Sequence, residues 1–460
     1  MTIADTAAAG GRLQTRAAEA PPQWSSRTAF VAAAVGSAVG LGNIWKFPYM
    51  AGVSGGGAFV LMYIGFVAVV GVPVLIAELL MGRHGGPGIV RSLGRIAAGA
   101  RGGQAWNILG WFVALTALGV LSFYSVVAGG ALAYAARAAV GARAATTALA
   151  STAAFDTLLT DPAQMIAWHT LVMGAVAAIV ARGVNGGIER AMRWLMPMLT
   201  LLLAGLAVYA GLVGDFGRAV EFLFRPDLSA ITPGTAMAAA GHAFFTLSLG
   251  LGAMMVYGAY VPKDVSIPQA AVWVAVADTA CALLAGLAIF PLVFGFGLDP
   301  AAGPGLIFVT LPVAFAAMPA GGVVATLFFL LIVVAALTSA VALVEPMAAA
   351  LAGDAEGRRS WTLGLAFGAW VLGLASVFSF NVWSDVRVFD RSVFDFISHV
   401  TGDLALPLGG LGAAVFAGWI ASRALTAADF ASPMLHRAWL TLVRYVAPAV
   451  LLLVFLDLLR

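Results

Sequence analysis

Val39-Gly40-Leu41-Gly42-Asn43-Ile44-Trp45-Lys46-Phe47-Pro48-Tyr49 sits inside an otherwise apolar segment and decides the reading of the whole chain. With Gly36 just ahead of it, the stretch places three glycines, an asparagine and a lysine where a membrane-spanning helix would be continuous. In lipid, backbone released from helical hydrogen bonds persists only where protein or a polar cavity covers it. Carbonyls freed at such a break can face a cation, and the new helix N-terminus can face an anion. The interruption therefore reads as a binding site.

The rest of the chain supplies the membrane. Of 460 residues, 62% are hydrophobic and 10% charged, and mean hydropathy is +0.99. A soluble domain carries about 25% charged residues, and a span needs about 20 apolar ones. Eleven segments meet that length, at 28–51, 58–81, 104–136, 163–181, 191–213, 236–260, 267–297, 320–350, 361–379, 394–422 and 438–459. The fold class expected is thus an all-α polytopic membrane protein, with no room for a large soluble domain. The single cysteine, Cys281, excludes a disulfide framework and a cysteine-rich metal site. No cofactor loop, metal cluster or nucleophile–base spacing stands out, so an enzyme is not expected.

Residues 1–27 lack the apolar core of a signal peptide and read as a disordered cytoplasmic tail. Most of the 24 Lys and Arg fall on that tail and on the even-numbered loops, among them Arg83, Arg91, Arg95, Arg101, Arg182, Arg190, Arg193, Arg358 and Arg359. Positive charge favours the cytoplasm. The N-terminus is expected inside a bacterial-type inner membrane and, after eleven spans, the C-terminus outside. The pI near 9.2 reflects that bias, not an affinity for nucleic acid.

A second interruption, Gly241-His242-Ala243-Phe244-Phe245-Thr246-Leu247-Ser248-Leu249-Gly250-Leu251-Gly252, opens the sixth segment. Val39-Gly40-Leu41-Gly42 and Leu249-Gly250-Leu251-Gly252 match, and each opens a block of five spans. Five is odd, so the second block is inverted relative to the first. Glycine also serves ordinary close packing of membrane helices. Paired breaks in two inverted halves, however, point to a transporter site at the bilayer midplane. The expected organisation is a tail (1–27), a first repeat (28–213), a second repeat (236–422) and a last helix (438–459). A segment at 300–318, too short to span, reads either as a lid that folds back or as an ordinary interfacial helix.

Charges inside spans cost roughly 2.5 to 3.5 kcal/mol each. Here they are Lys46, Glu78, Asp278, Glu345, Asp403 and, near a mouth, Asp395. Hard cations take oxygen ligands. The first break offers carbonyls at Gly36, Ala38 and Val39 with the Asn43 side chain. The sixth span adds Thr246, the seventh Asp278 and the eighth the hydroxyls of Thr338 and Ser339. A hydroxyl within a helix also commonly bonds its own i−4 carbonyl.

From Trp24 onward the chain strongly resembles the neurotransmitter:sodium symporter family, whose leucine-transporter-like fold is the inverted repeat described above. The resemblance rests on the run at 40–49, Gly55-Gly56-Gly57-Ala58-Phe59, Glu78-Leu79-Leu80-Met81-Gly82-Arg83, Phe244 to Gly250, Leu337-Thr338-Ser339 and Phe394-Asp395-Phe396. Members commonly have twelve spans, and from the eleven segments read here this chain is expected to lack the last, as some bacterial relatives do. The resemblance implies two Na+ sites. The first would use Ala38, Asn43, Thr246, Asp278 and the substrate carboxylate. The second would use the carbonyls of Gly36, Val39 and Ala335 with the hydroxyls of Thr338 and Ser339. Substrate would touch Ser37, Ala38, Leu41, Gly42, Val120, Tyr124, Phe245, Thr246, Ser248, Leu251, Ser339 and Leu343, with Tyr124 bonding its carboxylate. Gly40 stands where monoamine carriers of the family have aspartate, which favours an α-amino acid. The apolar side-chain pocket favours an aliphatic or aromatic one.

The same resemblance implies an outer gate of Lys46 and Asp395, with lysine replacing the family's arginine. On the inner side Pro21 and Pro22 stand where the family has arginine and Gly353 where it has an acid, leaving Arg16, Arg27, Asp354 or Glu356 to substitute. Gly187 and Pro197 match a spacing that lets the fifth span unwind. Around the family's chloride position stand Tyr63, His242, Thr246, Ala282 and Asp278. The Asp278 charge would repel an anion, implying chloride independence. His242 would carry a returning proton or simply bond Asp278 or Tyr63, and Glu78 would accept hydrogen bonds from the unwound sixth span. The expected function is sodium-coupled import of an apolar α-amino acid by alternating access. Its partners would be that small molecule, sodium and the lipid bilayer, with no nucleic acid and no obligatory protein. The alternatives are a carrier of another zwitterion or amine, a ligand-gated channel, or a membrane amino-acid sensor.

Overall fold

The fold follows from which apolar stretches can close their backbone hydrogen bonds and which cannot. A computed structural model describes residues 23–98, 103–141, 145–351, 355–421 and 426–458, with the side chains at 355–356 left aside. Arg16, Gly353, Asp354 and the Glu356 side chain lie outside the described residues. Among the described residues, nine helices are long and apolar enough to cross a membrane: Gly57–Gly85, Gly103–Ala139, Pro162–Val180, Val184–Val213, Ile267–Gly295, Gly321–Leu351, Gly357–Phe378, Val393–Ile420 and Pro433–Leu458. Two further apolar segments are interrupted at their glycine runs, and the first makes a tenth span when its halves are taken together, one fewer than the eleven expected.

The first is Arg27–Ala38 followed by Gly42–Val53, bent by 49°. Ser26 starts it by accepting from Ala29 N at 3.1 Å, which satisfies one of the open N-terminal donors. The second runs as Pro233–Thr246 and Ala253–Ala259, with Ser248, Gly250 and Gly252 between them at φ +53°, +78° and +75°. Gly250 is required twice. Its positive φ is costly for an L side chain, and a Cβ there would collide with Leu406 O and lie 2.8 Å from Gly410 N.

The eighth span, Gly321–Leu351, is the most enclosed helix and packs along Gly103–Ala139. The segment read as 300–318 folds into the short helix Leu306–Ala317. Trp45 Nε1 donates to Pro304 O at 3.1 Å and Tyr134 Oη to Phe308 O at 3.1 Å, so this segment lies against the second half of the first broken span and the C-terminal part of Gly103–Ala139. The alanine-rich connection at 138–162 contains the helix Ala148–Thr160, capped by Thr147. At the opposite end Asp429 joins two elements, accepting from Arg83 Nη1 and meeting His84 Nε2, each at 2.7 Å. Burial works to raise the Asp429 carboxyl, but the hydrogen bonds from His84 and Arg83 hold it below the ordinary aspartate value.

Candidate functional site

Both breaks converge on one point, and the polar side chains meet there. Asn43 Oδ1 accepts from Gly40 N at 3.0 Å, closing the first break on itself. Asn43 Nδ2 donates to Thr246 Oγ1 at 3.0 Å and to Asp278 Oδ1 at 2.8 Å. Thr246 Oγ1 donates to Asp278 Oδ2 at 2.9 Å, and Tyr63 Oη reaches the same oxygen at 3.4 Å. Asn43, Thr246 and Asp278 are buried, and they arrive from three separate spans. A buried carboxylate is tolerated only when paired, hydrogen-bonded or coordinating a cation. This set is all oxygen and amide, the chemistry of an alkali-cation site, and it leaves the Asp278 charge without a cationic side chain beside it. The residues fit a sodium ion.

A second oxygen cluster lies against the eighth span. Thr338 Oγ1 bonds Ala335 O at 2.9 Å and reaches Val39 O at 3.4 Å. Ser339 Oγ lies 3.4 Å from both Ser37 O and Val39 O. Thr338 therefore does make a local helical bond, and both hydroxyls also face the carbonyls of the first break. Gly36 lies in the same buried turn.

Between the clusters is a cavity of about 30 Å³, room for a couple of waters. Ser37, Ala38, Gly42, Val120, Tyr124, Phe245, Thr246, Ser248, Leu251, Ser339 and Leu343 line it as the sequence predicts. Leu41 does not line it; its backbone N donates to Tyr124 Oη at 3.1 Å. Gly40, which the family resemblance had marked by its missing side chain, also lines it, as do Ala253 and Ala342, which gave no signal in the sequence beyond being small. A Cβ on Gly40 would collide with Ser339 Oγ and lie 2.7 Å from Tyr124 Oη. Anything larger than a couple of waters fits only if the lining side chains move.

Residues 21–155 and 154–382 match the sodium:neurotransmitter symporter family. The chain belongs to that family. An uncharacterized sodium-dependent transporter of Bacillus subtilis is 37% identical over 450 residues, covering 95% of this chain and 98% of its own length. Another, of Haemophilus influenzae, is 32% identical over 446 residues, covering 94% and 97%. The crystal structure of MhsT in complex with L-phenylalanine superposes with a TM-score of 0.86 at 40% identity, over 95% of this chain and all of that one. The protein is a sodium-dependent membrane transporter that binds sodium and a small-molecule substrate, and it is not an enzyme.

The side chains expected to pair at the outer gate each have another partner in this structure. Lys46 Nζ lies 4.2 Å from the centre of the Phe245 ring, a cation–π contact over the cavity. Among the described residues it forms no ion pair with Asp395, whose Oδ2 accepts from Ser392 Oγ at 2.6 Å to start its own helix. Asp403, which meets His399 Nδ1 at 3.1 Å, is the acid whose charge reaches Lys46. Glu78 does hold the unwound sixth span, accepting from Gly250 N at 2.7 Å. His242 makes no hydrogen bond to Tyr63 or Asp278; its ring packs among Phe47, Phe59 and Tyr63 at 5.3–5.8 Å. Tyr63 is turned to Asp278 instead.

On the side of the N-terminal tail, contacts appear that no motif announced. Trp24 is buried, donating through Nε1 to Tyr257 O at 3.2 Å and through its backbone to Tyr260 O at 3.0 Å. Ser25 N donates to Glu189 Oε2 at 3.1 Å, and Ser25 Oγ to the other Glu189 oxygen. Arg27 donates to Gln269 Oε1 at 3.0 Å and, among the described residues, meets no acid. Glu345, noted in the sequence as an intramembrane acid, is fully buried and accepts from Tyr260 Oη at 2.9 Å and from Arg358. Arg358→Ala would strand that charge, which costs roughly 3–5 kcal/mol when one partner of a buried pair is removed. Thermal unfolding in detergent should show a large drop for Arg358→Ala, most of it recovered when Glu345→Gln is added. Equal loss in single and double variants would show that the pair does not hold this end together.

Proposed function

We propose that the protein couples inward movement of sodium to uptake of an apolar, aliphatic or aromatic, α-amino acid by alternating access, independently of chloride. The observation that carries this reading is the Asn43–Thr246–Asp278 cluster beside a cavity walled by Gly40, Tyr124 and Phe245. A cation held there would face the substrate carboxylate, for which the Leu41 N–H, the Tyr124 hydroxyl and the space at Gly40 leave a polar corner. The Val120, Phe245, Leu251 and Leu343 walls would take an apolar side chain. Discrimination by such walls is worth only about 1–3 kcal/mol per methylene, so a broad spectrum follows. The solved relative crystallised with L-phenylalanine supports the aromatic end of that range.

Two sodium ions would be carried, one at Ala38, Asn43, Thr246 and Asp278 and one at Gly36, Val39, Ala335, Thr338 and Ser339. The repeats would be 28–213 and 236–422, in an inner membrane, with the tail cytoplasmic and the C-terminus outside. Lys46 with Asp395 would close the outer vestibule once the tenth span moves inward.

Uptake of a mixture of labelled amino acids into proteoliposomes, with and without an inward sodium gradient, tests the reading. Sodium-dependent accumulation of an apolar member is the expected result. Currents of hundreds of ions per substrate would make the protein a channel, and sodium-dependent binding with no accumulation a sensor.

A further inference from the structure

Gly36 is pressed from one side by two sulfur atoms. A Cβ built on it would lie 2.8 Å from Met192 Sδ and 2.9 Å from Met196 Sδ. The two methionines stand one helical turn apart on the fifth span, 1% and 9% exposed. Behind them opens a crevice of about 980 Å³, which Ser26, Glu189, Thr200 and the 71%-exposed Arg193 also line. Three residues on from Gly36 is Val39, whose carbonyl faces Thr338 and Ser339 in the second oxygen cluster. Two thioethers thus stand at a crevice that is largely apolar but carries Ser26, Glu189 and Arg193, and they lie beside the turn that leads to the second oxygen cluster.

We propose that Met192 and Met196 form a plug that closes the second sodium site toward this crevice and sets the rate of sodium release on that side. The inference rests on the assignment of that cluster as a sodium site. A thioether is a poor ligand for a hard cation, so the pair blocks the path without offering a resting place along it. Methionine is unbranched with three rotatable bonds, so each sulfur can swing aside without backbone movement. Pro197 follows Met196 directly and removes one helical hydrogen bond from the turn that carries both sulfurs. The missing side chain at Gly36 is what lets the sulfurs seat.

The test is release of radioactive sodium from the purified protein in nanodiscs, at saturating substrate, after dilution into sodium-free buffer. Met192→Gln with Met196→Gln keeps the volume but lets water approach. It should speed release about tenfold or more, as expected when an apolar barrier gains a polar path, and raise the sodium concentration for half-maximal uptake in step. Met192→Leu with Met196→Leu should stay within about twofold of the unmodified protein, since the swap conserves volume. Wild-type release from the glutamine variant, or equal acceleration by leucine and glutamine, overturns the plug. Met196→Gln alone serves if the double variant does not fold. Thr338→Ala with Ser339→Ala is measured in parallel. Unchanged sodium binding there overturns the site assignment and the plug with it. Lost binding there with normal release from the glutamine variant overturns the plug alone.

Discussion

Replacing Thr338 and Ser339 together with alanine abolishes uptake driven by a sodium gradient. The two hydroxyls are the side-chain oxygens of the second cluster, facing Val39 O and Ala335 O. A hydrogen-bond-like contact to a charged group is worth about 1.5–3 kcal/mol. Losing two removes roughly 3–6 kcal/mol, which at 1.4 kcal/mol per decade is at least about a hundredfold in sodium affinity. The fold should survive. Both residues lie in an unbroken part of Gly321–Leu351, and alanine is the best helix former. A sodium titration of uptake, with thermal unfolding as a control, decides the matter. Thr338→Ser, which keeps the hydroxyl, should retain most of the transport. Normal sodium dependence in the double alanine variant would remove these residues from the site.

The spans and both breaks were legible because the signals are local. Twenty apolar residues are their own evidence for a span, and glycines beside Asn43 and Thr246 are out of place in one. The residue pattern named Asn43, Thr246 and Asp278 as candidate ligands, but their meeting across 203 and 235 residues was implied only by the resemblance to the symporter family. What stayed hidden depends on helix rotation and loop register. Spans that are apolar nearly all round carry little periodicity, so the sequence does not say which face of the fifth span meets Gly36, or that Glu189 turns to Ser25. Arg358 was visible as a loop charge and Glu345 as a buried one. Nothing in their spacing of 13 joins them, because the chain turns between two spans. Lys46 and Asp395 are apart in this structure for a local reason. Opposite charges at two mouths suggested a pair, whereas a neighbouring aromatic ring and a helix N-terminus each satisfied one of them locally. Ala253 and Ala342 matter through the volume they do not occupy, and a small apolar residue in an apolar helix sends no signal.

Asp278→Asn tests the electrostatic logic of the first cluster. The carboxylate is fully buried and accepts from Asn43, Thr246 and Tyr63, so donors fix both of its oxygens. A fixed negative charge about 4 Å from a cation is worth about 4 kcal/mol at an effective dielectric constant of 20. It also repels any anion at that distance by a similar amount, so the unmodified protein should transport equally well when chloride is replaced by gluconate. Asparagine keeps the shape and removes the charge. Substrate carboxylate and backbone oxygens would then bear the cation alone, and sodium affinity should fall by at least about tenfold, well inside that Coulombic allowance. The space beside Tyr63 and Ala282 would no longer oppose an anion, and chloride should begin to stimulate uptake. Both arms are read from one experiment, a sodium titration run in chloride and in gluconate. If the unmodified protein already requires chloride, the Asp278 charge does not act at the sodium site, and the carboxylate must be neutral there. If asparagine lowers sodium affinity without any response to chloride, the cation assignment stands. His242, packed against Tyr63 with no hydrogen bond of its own, would then be the group that keeps the anion out.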